Sequence, residues 1–161
     1  MTTRQTLSAA MTLALVAGSA MAQVGFNSAV TYQAPSTPDG LASADFDRDG
    51  DPDLAVVTDS PARITLFLNN FGQSFAAPIY VPLPAGSAPN FVRAADMNQD
   101  GIADLVVVLK NTAQVMILIN NGLAGFTVGA TIPVGNNPRW FIVGPLHGGS
   151  NNDIIVANRA D

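Results

Sequence analysis

Asp45-Phe46-Asp47-Arg48-Asp49-Gly50-Asp51-Pro52-Asp53, followed by Leu54-Ala55-Val56-Val57, is the stretch whose reading decides the fold. Aspartate fills five alternating positions, and a glycine stands where the chain has to reverse. A run this acidic repels itself unless a cation sits inside it. Calcium suits such a run, because it takes roughly six to eight oxygen ligands in irregular geometry. Residues one, three and five of the loop point inward, Gly50 lets the backbone turn, and residues seven and nine complete the shell. The pattern recurs at Asp96-Met97-Asn98-Gln99-Asp100-Gly101-Ile102-Ala103-Asp104, again ahead of an apolar run, Leu105-Val106-Val107-Val108. Two calcium sites are therefore expected. The first uses the side chains of Asp45, Asp47, Asp49 and Asp53 with the carbonyl of Asp51. The second uses Asp96, Asn98, Asp100 and Asp104 with the carbonyl of Ile102. The competing reading is a metal-free turn held by Asx hydrogen bonds. An EF-hand is excluded, because its bidentate glutamate at position twelve is replaced by Val56 and Val107. Magnesium fits less well, since it prefers to keep its waters.

With the loops aligned, a repeat of about fifty residues runs through the chain. The pairs Asp45 and Asp96, Asp53 and Asp104, Asn69 and Asn120, Phe75 and Phe126, and Pro38 and Pro89 share one spacing; Pro138 follows Pro89 at nearly the same distance. Each unit reads as four short strands separated by turn signals. Strand one covers 41–46, 91–97 and 140–143; strand two covers 54–58, 105–109 and 154–157. Strand three covers 64–68 and 115–119, each ending in Asn-Asn and a turn with glycine, and strand four follows Phe75 or Phe126. No convincing helical period occurs after residue 22. The units fall at about 38–88, 89–137 and 138–161, the last being partial.

All twelve acidic residues are aspartate, and the formal net charge is −5. That balance argues against nucleic acid or an anionic membrane as partner, since both attract basic patches. Cysteine is absent, which removes disulfides and zinc–thiolate sites. The first 22 residues have the layout of a secretory leader: Arg4, an apolar run from Leu7 to Val16, and Ala20-Met21-Ala22 before Gln23. The apolar run is short for a membrane span. Export, with no membrane insertion after leader removal, is the expectation.

Radially repeated four-stranded units of this length are β-propeller blades. The pattern resembles the FG-GAP/VCBS repeat of integrin α-subunit heads and many secreted bacterial proteins. The resemblance rests on the two acidic loops, on Asn69-Asn70-Phe71-Gly72 with Phe75, and on Asn120-Asn121-Gly122 with Phe126; a literal Gly-Ala-Pro element is missing. It covers essentially residues 24–161 and implies an all-β propeller with calcium between the first two strands of a blade. About two and a half blades are present, so the expectation is an incomplete propeller: part of a longer chain, or one closed by homo-oligomerisation. By the same resemblance, ligands engage the face opposite the calcium turns, through 34–40, 85–90 and 135–139.

The third unit keeps only Asp153 of the loop pattern and is expected to bind no calcium. His147, the single histidine, has no nucleophile nearby in sequence and reads as a surface residue. Trp140 reads as core packing in preference to a ligand contact, and Arg93 is a candidate for facing the propeller's central channel. A non-catalytic, calcium-stabilised module for binding an extracellular protein or glycan, in adhesion or scaffolding, is the leading function. The alternative is the propeller part of a secreted enzyme acting on polysaccharide, with its catalytic residues outside this chain. A truncated product without function of its own is a third reading.

Overall fold

The computed structural model describes residues 10–13, 30–33, 37–71 and 74–159. Among them the chain is entirely β, with no helix and no closed barrel. A hairpin of β1 (Ala10–Leu13) and β2 (Val30–Gln33) comes first. β1 lies in the segment expected to be a leader; the rest of that segment lies outside the described residues. The first blade is an antiparallel sheet of β3 (Pro38–Ala44), β4 (Asp53–Thr58), β5 (Arg63–Phe67) and β8 (Ile79–Pro82), in that spatial order. Between its last two strands sits a two-residue ladder of β6 (Asn69–Asn70) and β7 (Ser74–Phe75). The second blade orders β9 (Pro89–Ala95), β10 (Asp104–Leu109), β11 (Gln114–Asn120) and β12 (Phe126–Pro133) in the same way. Unit three contributes β13 (Pro138–Gly144) and β14 (Asp153–Asn158).

Strand two of each blade explains its own sequence. Every residue of β4 and β10 is buried. A half-exposed strand would alternate polar with apolar residues; a strand covered on both faces reads as a continuous apolar run. In β10 the faces divide by parity. Leu105, Val107 and Leu109 pack with Ala55, Val57, Ile64 and Leu66 of the first blade. Val106 and Val108 pack with Phe141 of unit three. The blades thus stack face on face, and the first strands of successive units run side by side. The approach of β3 to β9 is close: a Cβ on Gly40 would lie 3.0 Å from the Asn90 carbonyl oxygen and 3.3 Å from the Phe91 Cα.

Strand one begins earlier than the sequence suggests, and for the same reason in each unit. Pro38, Pro89 and Pro138 are the first strand residues, where the missing N–H costs no ladder bond. A residue with positive φ precedes each of them: Thr37 at 49°, Ala88 at 50° and Asn137 at 52°. The next residue (Asp39, Asn90 or Arg139) is bulged out of register against strand two. Turn, proline and bulge form one repeated device that swings each first strand into place.

Beside unit three, the second blade's outer face is only partly covered. Val115, Ile117, Ile132 and Val134 line an apolar groove of about 330 Å³ with Ile154 and Val156 of β14. Burial of strand two predicts where stability resides. Leu105→Ala should cost about 2–5 kcal/mol, whereas Leu123→Ala, at a site 77% exposed, should stay within about 0.5 kcal/mol. Denaturant unfolding of the two variants checks the contrast.

Candidate metal centre

Each acidic loop joins strand one to strand two and is built from its own carboxylates. In the first loop, the N–H groups of Arg48 and Gly50 donate to the two oxygens of Asp45 at 2.7 and 3.0 Å. Asp47 Oδ1 accepts from the Asp49 N–H at 3.3 Å, and Asp49 Oδ1 from the Asp51 N–H at 2.9 Å. The second loop repeats this. Asp96 accepts from the N–H groups of Gln99 (2.7 Å), Asp100 (3.2 Å) and Gly101 (2.8 Å), and Asp100 Oδ1 from that of Ile102 (2.8 Å). Gly50 and Gly101 turn the chain at φ of 95° and 79°, a conformation that glycine reaches without a Cβ penalty. The fourth residue of each loop is also left-handed, Arg48 at 66° and Gln99 at 65°, which the sequence pattern does not announce.

The predicted ligands separate into two groups. One carboxylate oxygen from each of Asp45, Asp47 and Asp49 lies within 4.8 Å of the others, so these three converge. Asp51 lies beside them, with an Oδ2 that is buried and has no hydrogen-bond partner. Asp53 is elsewhere in character. It is fully buried, and its two oxygens accept from the Phe46 and Asn69 N–H groups, both at 2.8 Å. Asp104 does the same with the N–H groups of Met97 and Asn120, both at 2.8 Å. In the second loop, Asn98 Oδ1 accepts from the Asp100 N–H (3.1 Å), and its amide donates to Asp100 Oδ2 (2.8 Å). Ile102 offers its carbonyl in the position that Asp51 holds in the first loop.

The aspartate at position nine is therefore a clip as well as a candidate ligand. Its carboxylate ties the second residue of the loop to the end of strand three. The asparagine closing strand three reciprocates: Asn69 Nδ2 donates to the Pro52 carbonyl at 3.2 Å, and Asn120 Nδ2 to the Ala103 carbonyl at 3.0 Å. Sequence reasoning aligned these asparagines without giving them a role. Their constant spacing of sixteen residues from the loop-closing aspartate was the available signal. Unit three keeps the first half of the clip without the rest of the loop, since Leu146 N–H donates to Asp153 Oδ2 at 2.9 Å.

The loops also reach the next unit. The Phe46 carbonyl accepts from Asn120 Nδ2 (2.9 Å) and from the Ala124 N–H (3.0 Å). The Phe46 ring is fully buried, edge-on to Phe126 at 5.8 Å. A Cβ on Gly122 would come within 3.0 Å of the Arg48 stem and 3.1 Å of Ile102, so the two loops meet there. One step along, the Asp96 carbonyl accepts from Asn152 Nδ2 at 2.7 Å, and Gln99 bonds to Asn151 and Ser150. His147 is exposed on the third loop, with Nδ1 3.0 Å from Asp153 Oδ2. Trp140, read as core from sequence, is 49% exposed and lies against the Phe91 ring with centroids 4.2 Å apart.

Residues 45–107 match the family model of the FG-GAP-like repeat, a span that takes in both acidic loops and the first blade's outer strands. This part of the chain thus carries an FG-GAP-like repeat, in a fold of blade-like antiparallel sheets. No curated protein sequence matches it.

Environment sets the titration of these carboxylates. Burial pushes Asp53 and Asp104 above the usual value of 3.8, only partly offset by their backbone N–H partners. Backbone N–H groups, that of Gly101 first, hold Asp96 below it, and the His147 side chain does the same for Asp153. The signs are opposite. Asp53 and Asp104 take up protons more readily folded than unfolded, so acidification from neutrality stabilises the fold through them. Asp96 and Asp153 stabilise it above 3.8 and lose that contribution as pH falls below it. With chelator present, the melting temperature should rise on going from pH 7 towards the folded-state titration of Asp53 and Asp104, then fall below about pH 3.8. A melting series across that range checks the profile.

The two classes of aspartate predict contrasting variants. Asp104→Ala leaves the Met97 and Asn120 N–H groups without their acceptor and should cost about 3–5 kcal/mol even without metal. Asp49→Ala relieves carboxylate crowding and should be close to neutral in chelator, within about 1 kcal/mol. Chemical denaturation in chelator compares them directly.

Proposed function

We propose that this protein is an exported, calcium-stabilised β-propeller module that binds a partner and performs no catalysis. The observation that carries the reading is the convergence of the Asp45, Asp47 and Asp49 carboxylates in a loop already bent to present them. Hard oxygen donors without nitrogen or sulfur are the donor set of calcium. The unpartnered, buried Asp51 Oδ2 is a further anionic oxygen whose desolvation a cation would offset. Asp45, Asp47 and Asp49 would hold the ion with the Asp51 carbonyl, and Asp53 keeps lone pairs for it beyond its two N–H bonds. In the second loop Asp96, Asn98, Asp100 and Asp104, with the Ile102 carbonyl, take these parts. When bound, calcium neutralises the carboxylates and locks the turn between strands one and two.

The loops are not equivalent. A cation in the second must compete with the hydrogen bond from the Asn98 amide to Asp100, and it meets two fewer aspartates. The first loop is therefore the tighter site. The absence of glutamate and cysteine, and the solitary exposed histidine paired to Asp153, support a binding role over an enzymatic one. The alternative, the propeller portion of a larger polysaccharide-acting enzyme, places the chemistry in another segment. Further blades would come from a longer chain or from other copies. An extracellular setting, as the leader-like N-terminus implies, supplies the calcium that such a module needs.

Extracellular calcium modules bind with Kd of ~10⁻⁴–10⁻³ M. At ten times that constant, each site adds about 1.4 kcal/mol to the folded state, or roughly 3–5 °C in Tm for a domain of this size. Far-UV circular dichroism melts in millimolar calcium and in chelator test this. The calcium-dependent rise should disappear in Asp49→Ala/Asp100→Ala, and a Tm indifferent to calcium would refute the metal reading. Calorimetric titration should resolve two unequal sites, with Asp49→Ala removing the tighter one.

A further inference from the structure

Charge is distributed unevenly between the two ends of the blades. Nine of the twelve aspartates lie in the three loops between strands one and two, where Arg48 is the only arginine. The topology places Arg63, Lys110, Arg139 and Arg159 at the opposite end, where strands two finish and strands one and three begin. Asp39 and Asp59 are the described acidic residues there. One end is thus strongly anionic and the other carries a cationic excess, although the chain as a whole is acidic.

On strand one of the second blade, about midway between these two ends, sits an arginine whose hydrogen-bonding capacity is unspent. The Arg93 guanidinium lies 5.3 Å from the Trp140 ring centroid and 5.5 Å from that of Phe91. Among the described residues it has no carboxylate and no hydrogen-bond acceptor. Its contacts are with aromatic rings, which orient the side chain while leaving its N–H donors free. That free planar fork is the geometry that takes a carboxylate through two parallel hydrogen bonds. Trp140 beside it is 49% exposed, a rigid apolar surface of the kind on which a sugar ring lies.

We propose that Arg93 and Trp140 form the recognition point for a carboxylate-bearing saccharide, a uronic acid unit of an acidic glycan. Arg93 binds the carboxylate and Trp140 stacks on the ring. The proposal rests on the binding-module reading above and gives its partner a chemical class.

Trp140 is the only tryptophan in the chain, so its fluorescence reports on this point alone. The full chain, in millimolar calcium, is titrated with trigalacturonate, with its fully methyl-esterified form, and with an oligoglutamate of equal charge. Emission should change saturably with trigalacturonate only, and the apparent Kd should rise with added salt. Arg93→Lys should weaken binding about tenfold by replacing the fork with a point charge, and Arg93→Gln should abolish it. Arg63→Gln, which removes a similar charge stacked on Tyr80 in the first blade, should bind as the parent does. Circular dichroism of each variant verifies the fold. An equal response to the ester would mean stacking without carboxylate recognition, and an equal response to oligoglutamate would mean no sugar recognition; either overturns the proposal. A loss in Arg63→Gln as large as in Arg93→Gln would reduce it to diffuse electrostatics and overturn it as well. A Tm that rises with calcium while Trp140 emission stays unmoved removes this proposal and leaves the calcium module standing. Binding by Trp140 without a calcium-dependent Tm does the reverse.

Discussion

The structure depends on one interaction, made twice in full and once in part: a buried aspartate whose two carboxylate oxygens accept backbone N–H groups from two different segments. Asp53 holds Phe46 and Asn69, and Asp104 holds Met97 and Asn120. In each case the carboxylate starts strand two, pins the entry to the acidic loop and fixes the end of strand three. Burying a carboxylate is costly, and the raised titration of both residues records that cost. It is tolerated because charge-assisted bonds to two otherwise unpaired N–H groups offset it. Asp153 makes the first half of the clip in a loop that has lost the remaining acidic residues. The clip is therefore separable from the acidic cluster beside it.

Around that clip the blade solves two opposed problems. Its middle strands must be apolar on both faces, because neighbouring sheets cover them. Its loop gathers the carboxylates of Asp45, Asp47 and Asp49 within a few residues, against their mutual repulsion. The second loop residue links the two demands. Phe46 lies within the acidic sequence yet buries its ring against Phe126, and its carbonyl accepts from Asn120 and Ala124 of the next blade. A loop fixed in this way also helps to set where the following blade packs. The conformation of the acidic loop and the stacking of the blades are accordingly coupled through backbone atoms.

Much of this architecture was legible in one dimension. The alternating aspartates around Gly50 and Gly101, the apolar runs after them and the repeat spacing led to blades, because each feature is local and the repeat states it twice. The positions that misled were those where a residue type carries two meanings. Pro38, Pro89 and Pro138 stand before the expected starts of strand one, yet each is the first residue of that strand, where the bulge that follows absorbs the irregularity. Asp53 and Asp104 read only as ligands, yet both lie in the core, where each carboxylate also accepts two backbone N–H groups. Trp140 read as core, yet nearly half of it is exposed beside Arg93.

The sequence by itself determined the all-β class, the repeat and the acidic loops, since period, turn chemistry and ligand spacing are properties of neighbouring residues. Only the tertiary structure decided which carboxylates converge and which are spent on the backbone. It also decided which faces of Leu105–Leu109 meet which blade, and that the Arg93 guanidinium lies against two rings with no acid beside it. Most of those outcomes depend on segments far apart in the chain being brought together, and chain spacing carries no record of which atoms are left without a partner when that happens.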